Sequence, residues 1–200
     1  MSLFWARFKN FSGDTFRLDT RIYLHETSNP SDVDECVGAV VGKNPGSAKP
    51  STITDDLQPI SLYGDKLLPT VRNVVLKAYE QANREVPKNS YIQVFNLFYL
   101  CDPNLSDALN AFKSSSGPAF CESEEKNIPW TWYVWGGDFE ELNIFKARFS
   151  SLKINNHFFY DNVAGKIALR PPQSTDFAKH TQGLRHAYVV PHISELVANG

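Results

Sequence analysis

Cys36-Val37-Gly38-Ala39-Val40-Val41-Gly42-Lys43-Asn44-Pro45-Gly46-Ser47-Ala48-Lys49-Pro50 is the stretch whose reading decides the fold. Val37 to Val41 is an uninterrupted run of β-branched and small residues, the pattern of a strand covered on both faces in a parallel sheet. The run breaks at Gly42. Pro45 has no N–H for a sheet ladder and disfavours the helical region for Asn44, so the chain must leave the sheet within two residues. Asn44 is therefore expected at the carboxyl end of a central strand, the edge of an open α/β sheet where ligands bind.

The loop invites comparison with a phosphate cradle and fails it. Gly38, Gly42 and Lys43 give G-x-x-x-G-K followed by Asn, one residue short of a P-loop and without its metal-binding hydroxyl. The remaining bounds are broad. A chain of 200 residues, 42% apolar and 21% charged, fits one domain over residues 1–200, and no apolar run reaches membrane-spanning length. The start, Met1 to Arg7, lacks the basic and long apolar regions of a signal peptide, and three widely spaced cysteines suggest no disulfide framework or metal cluster, so a cytoplasmic protein is expected. A net charge of −2 gives no global signature of nucleic-acid binding. A locally positive groove would need Lys43, Lys49, Arg170, Lys179, Arg185 and His186 to converge.

Outward from the central stretch, residues 4–26 alternate on both sides of Asn10-Phe11-Ser12-Gly13-Asp14, which predicts an N-terminal β-hairpin. Residues 47–65 form a long loop of Pro, Ser, Thr and Asp. Leu67, Leu68, Val71, Val74, Val75, Ala78, Tyr79 and Ala82 recur at helical spacing and predict a helix over about 66–85. Tyr91 to Leu100 is a second buried strand, so strand, helix and strand make a βαβ unit. Asn104 to Lys113 reads as a short helix. Trp130 to Gly137 reads as a third strand, followed by a helix over about 138–151 capped by Asp138. His157 to Tyr160 and Ala187 to Val190 are further strand candidates, with a loop between them. The expected fold is a three-layer α/β/α domain with a central, mainly parallel sheet and an added N-terminal β-hairpin.

Four of these segments, in this order, resemble the uracil-DNA glycosylase superfamily, nearest the branch whose first motif reads G-I-N-P-G. Gly42-Lys43-Asn44-Pro45-Gly46 matches that motif, with Lys43 at its usually apolar second position. Asn96 in Val94-Phe95-Asn96-Leu97 is similar to the family's base-reading Asn, and Val134-Trp135-Gly136 to its L-W-G. Arg185-His186 or Pro191-His192 could supply the last motif, although Ala187 stands where the family has Pro. The same segments, with Pro69-Thr70-Val71-Arg72, resemble an uncharacterised bacterial domain family reading G-L-N-P-S-T-A-D, P-T-I-R-R, N-L-F, A-W-G and R-H-P-L-Y-L. The likeness spans about residues 36–192.

The resemblance implies a DNA glycosylase that flips a damaged or modified base from the helix and hydrolyses its N-glycosidic bond, in repair or in defence against phage with modified DNA. Asn44 and His186 would be catalytic, Asn44 orienting water or stabilising the sugar cation and His186 assisting the leaving base. Gly42, Pro45, Asn96 and Trp135 would bind the base, while Lys43, Lys49, Arg185 and His192 would contact DNA. Asp55 and Asp56 in the long loop are the reserve candidates for activating water. His180, His186 and His192 recur every six residues without a recognised ligand pattern, so no metal and no cofactor is expected. Trp130 and Trp132 share one strand face and Trp135 takes the other, which favours core packing over a stacking surface. DNA is the expected partner of a monomer with no membrane attachment. A non-catalytic nucleotide or modified-base binding module, or a hydrolase of free nucleosides or nucleotides, is the alternative on the same fold.

Overall fold

The computed structural model describes every residue except Lys49, Ser51, Tyr63, Ser116, Ala119, Asp138, Lys153 and Gly200. The expectations for Lys49 as a DNA contact and for Asp138 as a helix cap thus lie outside the described residues. The N-terminal strands β1 (Ser2–Phe11) and β2 (Asp14–Thr27) form the expected hairpin, turning at Ser12 and Gly13, both at positive φ. β3 (Glu35–Gly42) is the central run, and β4 (Gln58–Pro59) is a short strand within the long loop that pairs with β1. Helix α1 (Leu67–Gln81), β5 (Ser90–Asn96), α2 (Leu105–Ser114) and β6 (Ile128–Tyr133) follow.

The sheet order is β4-β1-β2-β5-β3-β6-β7-β8, where β7 is Ile154–Asp161 and β8 is Lys166–Ala168. β3 pairs in parallel with both β5 and β6, and β6 with β7, as the apolar runs predict. The β1–β2, β1–β4, β2–β5 and β7–β8 pairs are antiparallel. The sheet is therefore mixed, not mainly parallel. The hairpin is no appendage either, because β2 joins β5 edge to edge and extends the sheet. That docking buries nine consecutive residues, Phe16 to Leu24, so both faces of β2 are covered.

Two apolar clusters divide the strand residues by parity. Val40, Ile92, Val94, Trp130, Trp132 and Phe158 pack with Leu68, Val71 and Val75 of α1. Ala39, Val41, Phe95, Tyr133, Trp135 and Phe159 pack with Leu109 of α2 and with Phe145 and Phe149. The tryptophans are thus core residues on opposite faces, as their alternation predicts. Gly38 is required by one of them: a Cβ there would stand 2.2 Å from the Trp130 ring.

Two elements differ from expectation. The predicted helix over 138–151 is broken into a 3₁₀ turn at Glu140–Leu142, one α turn (α3, Asn143–Lys146) and a second 3₁₀ turn at Ala147–Ser150. The candidate strand 187–190 is instead a 3₁₀ turn (His186–Tyr188) leading into helix α4 (Val190–Asn199), which packs on α1. Pro191 in the first turn of α4 is compatible with a helix start, since the N–H it lacks would be unpaired there anyway. Among the described residues, no helix is long and apolar enough to cross a membrane.

Candidate functional site

The Asn44 loop leaves the sheet where expected. Leu97 N–H lies 3.1 Å from the Gly42 carbonyl and 2.9 Å from that of Lys43, locking the loop to the end of β5. The β5 end is itself clamped: Arg148 donates to the carbonyls of Asn96 (2.7 Å) and Leu97 (2.6 Å) and to Glu124 (2.9 Å). Gly46, at φ +71, turns the chain back over a conformation open to glycine.

A cleft of about 510 Å³ opens beside this loop, lined by residues 42–48, by Gly64 to Leu67 at the start of α1, by Pro103, by His180 and Gln182, and by Arg17. Its volume is that of a small-molecule site. Asn44 is fixed at this cleft by its side-chain amide, which donates to the Asp102 carbonyl at 2.8 Å. Its own carbonyl oxygen has no hydrogen-bond partner among the described residues. Asp65 accepts from the N–H groups of Leu67 (2.8 Å) and Leu68 (3.4 Å), so the N-terminus of α1 is closed by a side chain of the protein.

His180 reaches the cleft because its segment is pinned against the sheet. Gly136 N–H donates to the Ala178 carbonyl at 2.8 Å and Lys179 N–H to that of Tyr160 at 2.9 Å. Gln182 N–H donates to His180 Nδ1 at 3.1 Å. A backbone N–H can only donate, so neutral His180 carries its proton on Nε2. Burial first, and then the nearby Lys43, lower its pKa below the ordinary imidazole value, against the opposing pull of Asp65. His180 is therefore a neutral donor at pH 7. Lys43 is also pushed down, by burial and then by Lys146, and its Nζ lies 4.1 Å from the Phe139 ring centre.

Arg17 is the least expected lining residue. It is 2% exposed, and its Nε and Nη1 are buried with no hydrogen-bond partner among the described residues. Among the described residues the guanidinium makes no ion pair. Burial lowers its pKa, with Cys101 and Asp65 pulling the other way. It arrives at the cleft because β2 runs on past β5: Arg17 N–H donates to the Tyr99 carbonyl at 2.9 Å, and Cys101 N–H to that of Thr15 at 2.8 Å. That pairing sets Arg17 beside the Asp102-Pro103 turn.

No family model, curated protein or solved structure matches this chain.

The cleft thus gathers Gly42, Lys43, Asn44 and Pro45 of the expected site residues. Asn96 and Trp135 are buried behind it, at 1% exposure each, with Asn96 Nδ2 and Trp135 Nε1 lacking partners among the described residues. Gly42 and Asn96 sit side by side in the β3–β5 ladder, and a Cβ on Gly42 would stand 3.2 Å from Asn96 Oδ1. The expected histidines lie elsewhere. His186 Nδ1 is 3.3 Å from Lys77 Nζ. Lys77 is ten residues beyond Leu67, about 15 Å along α1 from the cleft at 1.5 Å per residue. His192 packs its ring edge-on to Phe158, 4.6 Å between centres. Their expected place at the cleft rests on the resemblance to the family's last motif.

Arg185 is exposed outside the cleft and Arg170 pairs with Asp176 at 3.0 Å, so of the described residues that a positive groove would need, Lys43 alone lines the cleft. Asp55 and Asp56 are likewise remote: the Asp55 carbonyl accepts from Arg7 at 2.9 Å, on the far side of the hairpin. Neither Arg17 nor His180 is among the residues expected to act at the site. The available signal for Arg17 was a charge set between Phe16 and Leu18 inside a strand; for His180 it was position in a long loop.

Proposed function

We propose that this protein is a glycosylase that hydrolyses the N-glycosidic bond of a nucleotide unit held in the Asn44 cleft, on a three-layer α/β/α fold of the uracil-DNA glycosylase type. The two apolar clusters, one on each sheet face with its own helices, support that reading of the layers. The substrate in this reading is a flipped-out damaged or modified base in DNA, met by a cytoplasmic monomer.

The observation that carries the proposal is the Asn44 amide, fixed by Asp102 at the carboxyl end of a central parallel strand, with its carbonyl oxygen unpartnered among the described residues. Cleavage builds positive charge on the sugar and negative charge on the departing base. The Asn44 carbonyl accepts a hydrogen from the attacking water and aims its oxygen at the anomeric carbon; the same dipole favours the cationic sugar. His180 takes the role first expected of His186: its Nε2–H donates to the leaving base, and being neutral it does so without opposing the sugar cation. Oligonucleotides carrying different bases, single- and double-stranded, would be incubated with the protein and treated with alkali to cut at abasic sites. Strand scission at one base, reduced roughly a hundredfold by Asn44→Ala, is the expected result. Equal cleavage by the folded variant would remove Asn44 from the chemistry.

A further inference from the structure

A guanidinium taken out of water without a partner is disfavoured by several kcal/mol, which is why buried arginines are paired. Arg17 departs from that rule inside a cleft. Among the described residues, the charged side chains lining the cleft are Arg17, Lys43 and Lys66 against the one carboxylate of Asp65. Asp65 accepts its hydrogen bonds from the N–H groups of Leu67 and Leu68 and acts on Arg17 only through space.

We propose that Arg17 is the floor of an oxyanion subsite in the Asn44 cleft, built to take the terminal phosphate of a phosphomonoester such as a nucleoside monophosphate. A phosphoryl group offers the planar guanidinium two acceptor oxygens at once and supplies the missing counter-charge. Lys43 is the second cation, on the loop that carries Asn44. The terminal monoester is favoured over a backbone diester by depth. At 2% exposure Arg17 is reached by a group at the end of a ligand, whereas a diester carries a nucleoside on either side. The balance of charge over the whole chain, 20 basic against 22 acidic residues, agrees with a small ligand better than with long nucleic acid.

The subsite favours the free-nucleotide alternative for the same cleft over a base held in DNA, and it does not depend on cleavage: Asn44→Ala is expected to slow hydrolysis roughly a hundredfold and leave phosphate binding intact. The test is calorimetric titration of the full chain with inorganic phosphate, nucleoside 5′-monophosphates, the matching nucleosides, and an oligonucleotide lacking terminal phosphates. Saturable binding of phosphate and tighter binding of a monophosphate than of its nucleoside are expected. Arg17→Gln should weaken both phosphate ligands roughly tenfold or more, and Arg17→Lys by less, because hydrogen bonds to a charged group are the strong ones. If Arg17→Gln does not fold, Lys43→Gln reads the same subsite from an outer loop, with phosphate weakened severalfold and nucleoside unchanged. No saturable response to phosphate, phosphate affinity unchanged in the folded Arg17 and Lys43 variants, or an oligonucleotide competing as well as the monophosphate would each overturn the proposal.

Discussion

Arg17 and Arg21 stand four residues apart on one strand, both buried, and differ in every other respect. Arg21 is 0% exposed and saturated: it donates to Asp19 at 3.1 and 2.7 Å, to Asp32 at 2.7 Å and to the Ser31 carbonyl at 2.6 Å. Arg7 joins the same carboxylates. Burial works against the charge on Arg21, yet the bonds to Asp19 and Asp32 hold its pKa above the ordinary value. Arg17 has the burial without the bonds, and its pKa moves the other way. A charge that serves the fold is neutralised within the fold; one left unneutralised at a cleft is set for something that arrives from outside.

The largest effect expected from this contrast is on stability at the saturated site. Arg21→Met leaves the buried Asp19 carboxylate with Arg7 alone, and should lower stability by about 3–5 kcal/mol, the scale for breaking a buried pair. Chemical denaturation measures it; a loss under 1 kcal/mol would show the network to be dispensable. Next comes Asn44→Ala, which should slow glycosidic cleavage about a hundredfold with the melting temperature nearly unchanged. A parallel collapse of the fold would mean that the bond to Asp102 is structural first.

The smallest effect is a pH dependence. His180 has a folded-state pKa below its unfolded value, so the unfolded chain binds the proton first as pH falls. Its contribution to stability is fully present above the ordinary imidazole value and declines below it, by a fraction of the total. Protonation also breaks the bond from Gln182 N–H, so cleavage should fall on the acid side. His180→Gln, which keeps a donor and removes the titration, should flatten that acid limb of the pH–rate profile. An identical limb in the variant would assign the ionisation elsewhere.

The parallel core was legible because β3, β5 and β6 are apolar runs and α1 has a clean helical period; their order also put Asn44 at the correct sheet edge. Val189-Val190-Pro191 misled, since β-branched residues before a proline read as a strand end, whereas here the proline starts a helix that packs on α1. His186 and His192, placed by the resemblance to the family's last motif, lie away from the cleft. Phe139, Leu142 and Phe145 keep a near-helical spacing, but Arg148 is held by Glu124 and by the Asn96 and Leu97 carbonyls, and the segment around it alternates 3₁₀ and α turns. Arg17 was illegible for a different reason. A lone arginine in an alternating hairpin reads as solvent-facing until β2 docks on β5 and covers both faces of the strand.

The most direct test of the Arg17 contrast is the melting temperature of Arg17→Met with and without inorganic phosphate. Methionine fills similar space and removes a buried charge that has no hydrogen-bonded counter-ion among the described residues, so in phosphate-free buffer the variant should be as stable as the wild type or more so. Added phosphate should then raise the melting temperature of the wild type only. A variant as destabilised as Arg21→Met, or one that gains as much from phosphate as the wild type, would contradict a guanidinium held in reserve for a ligand.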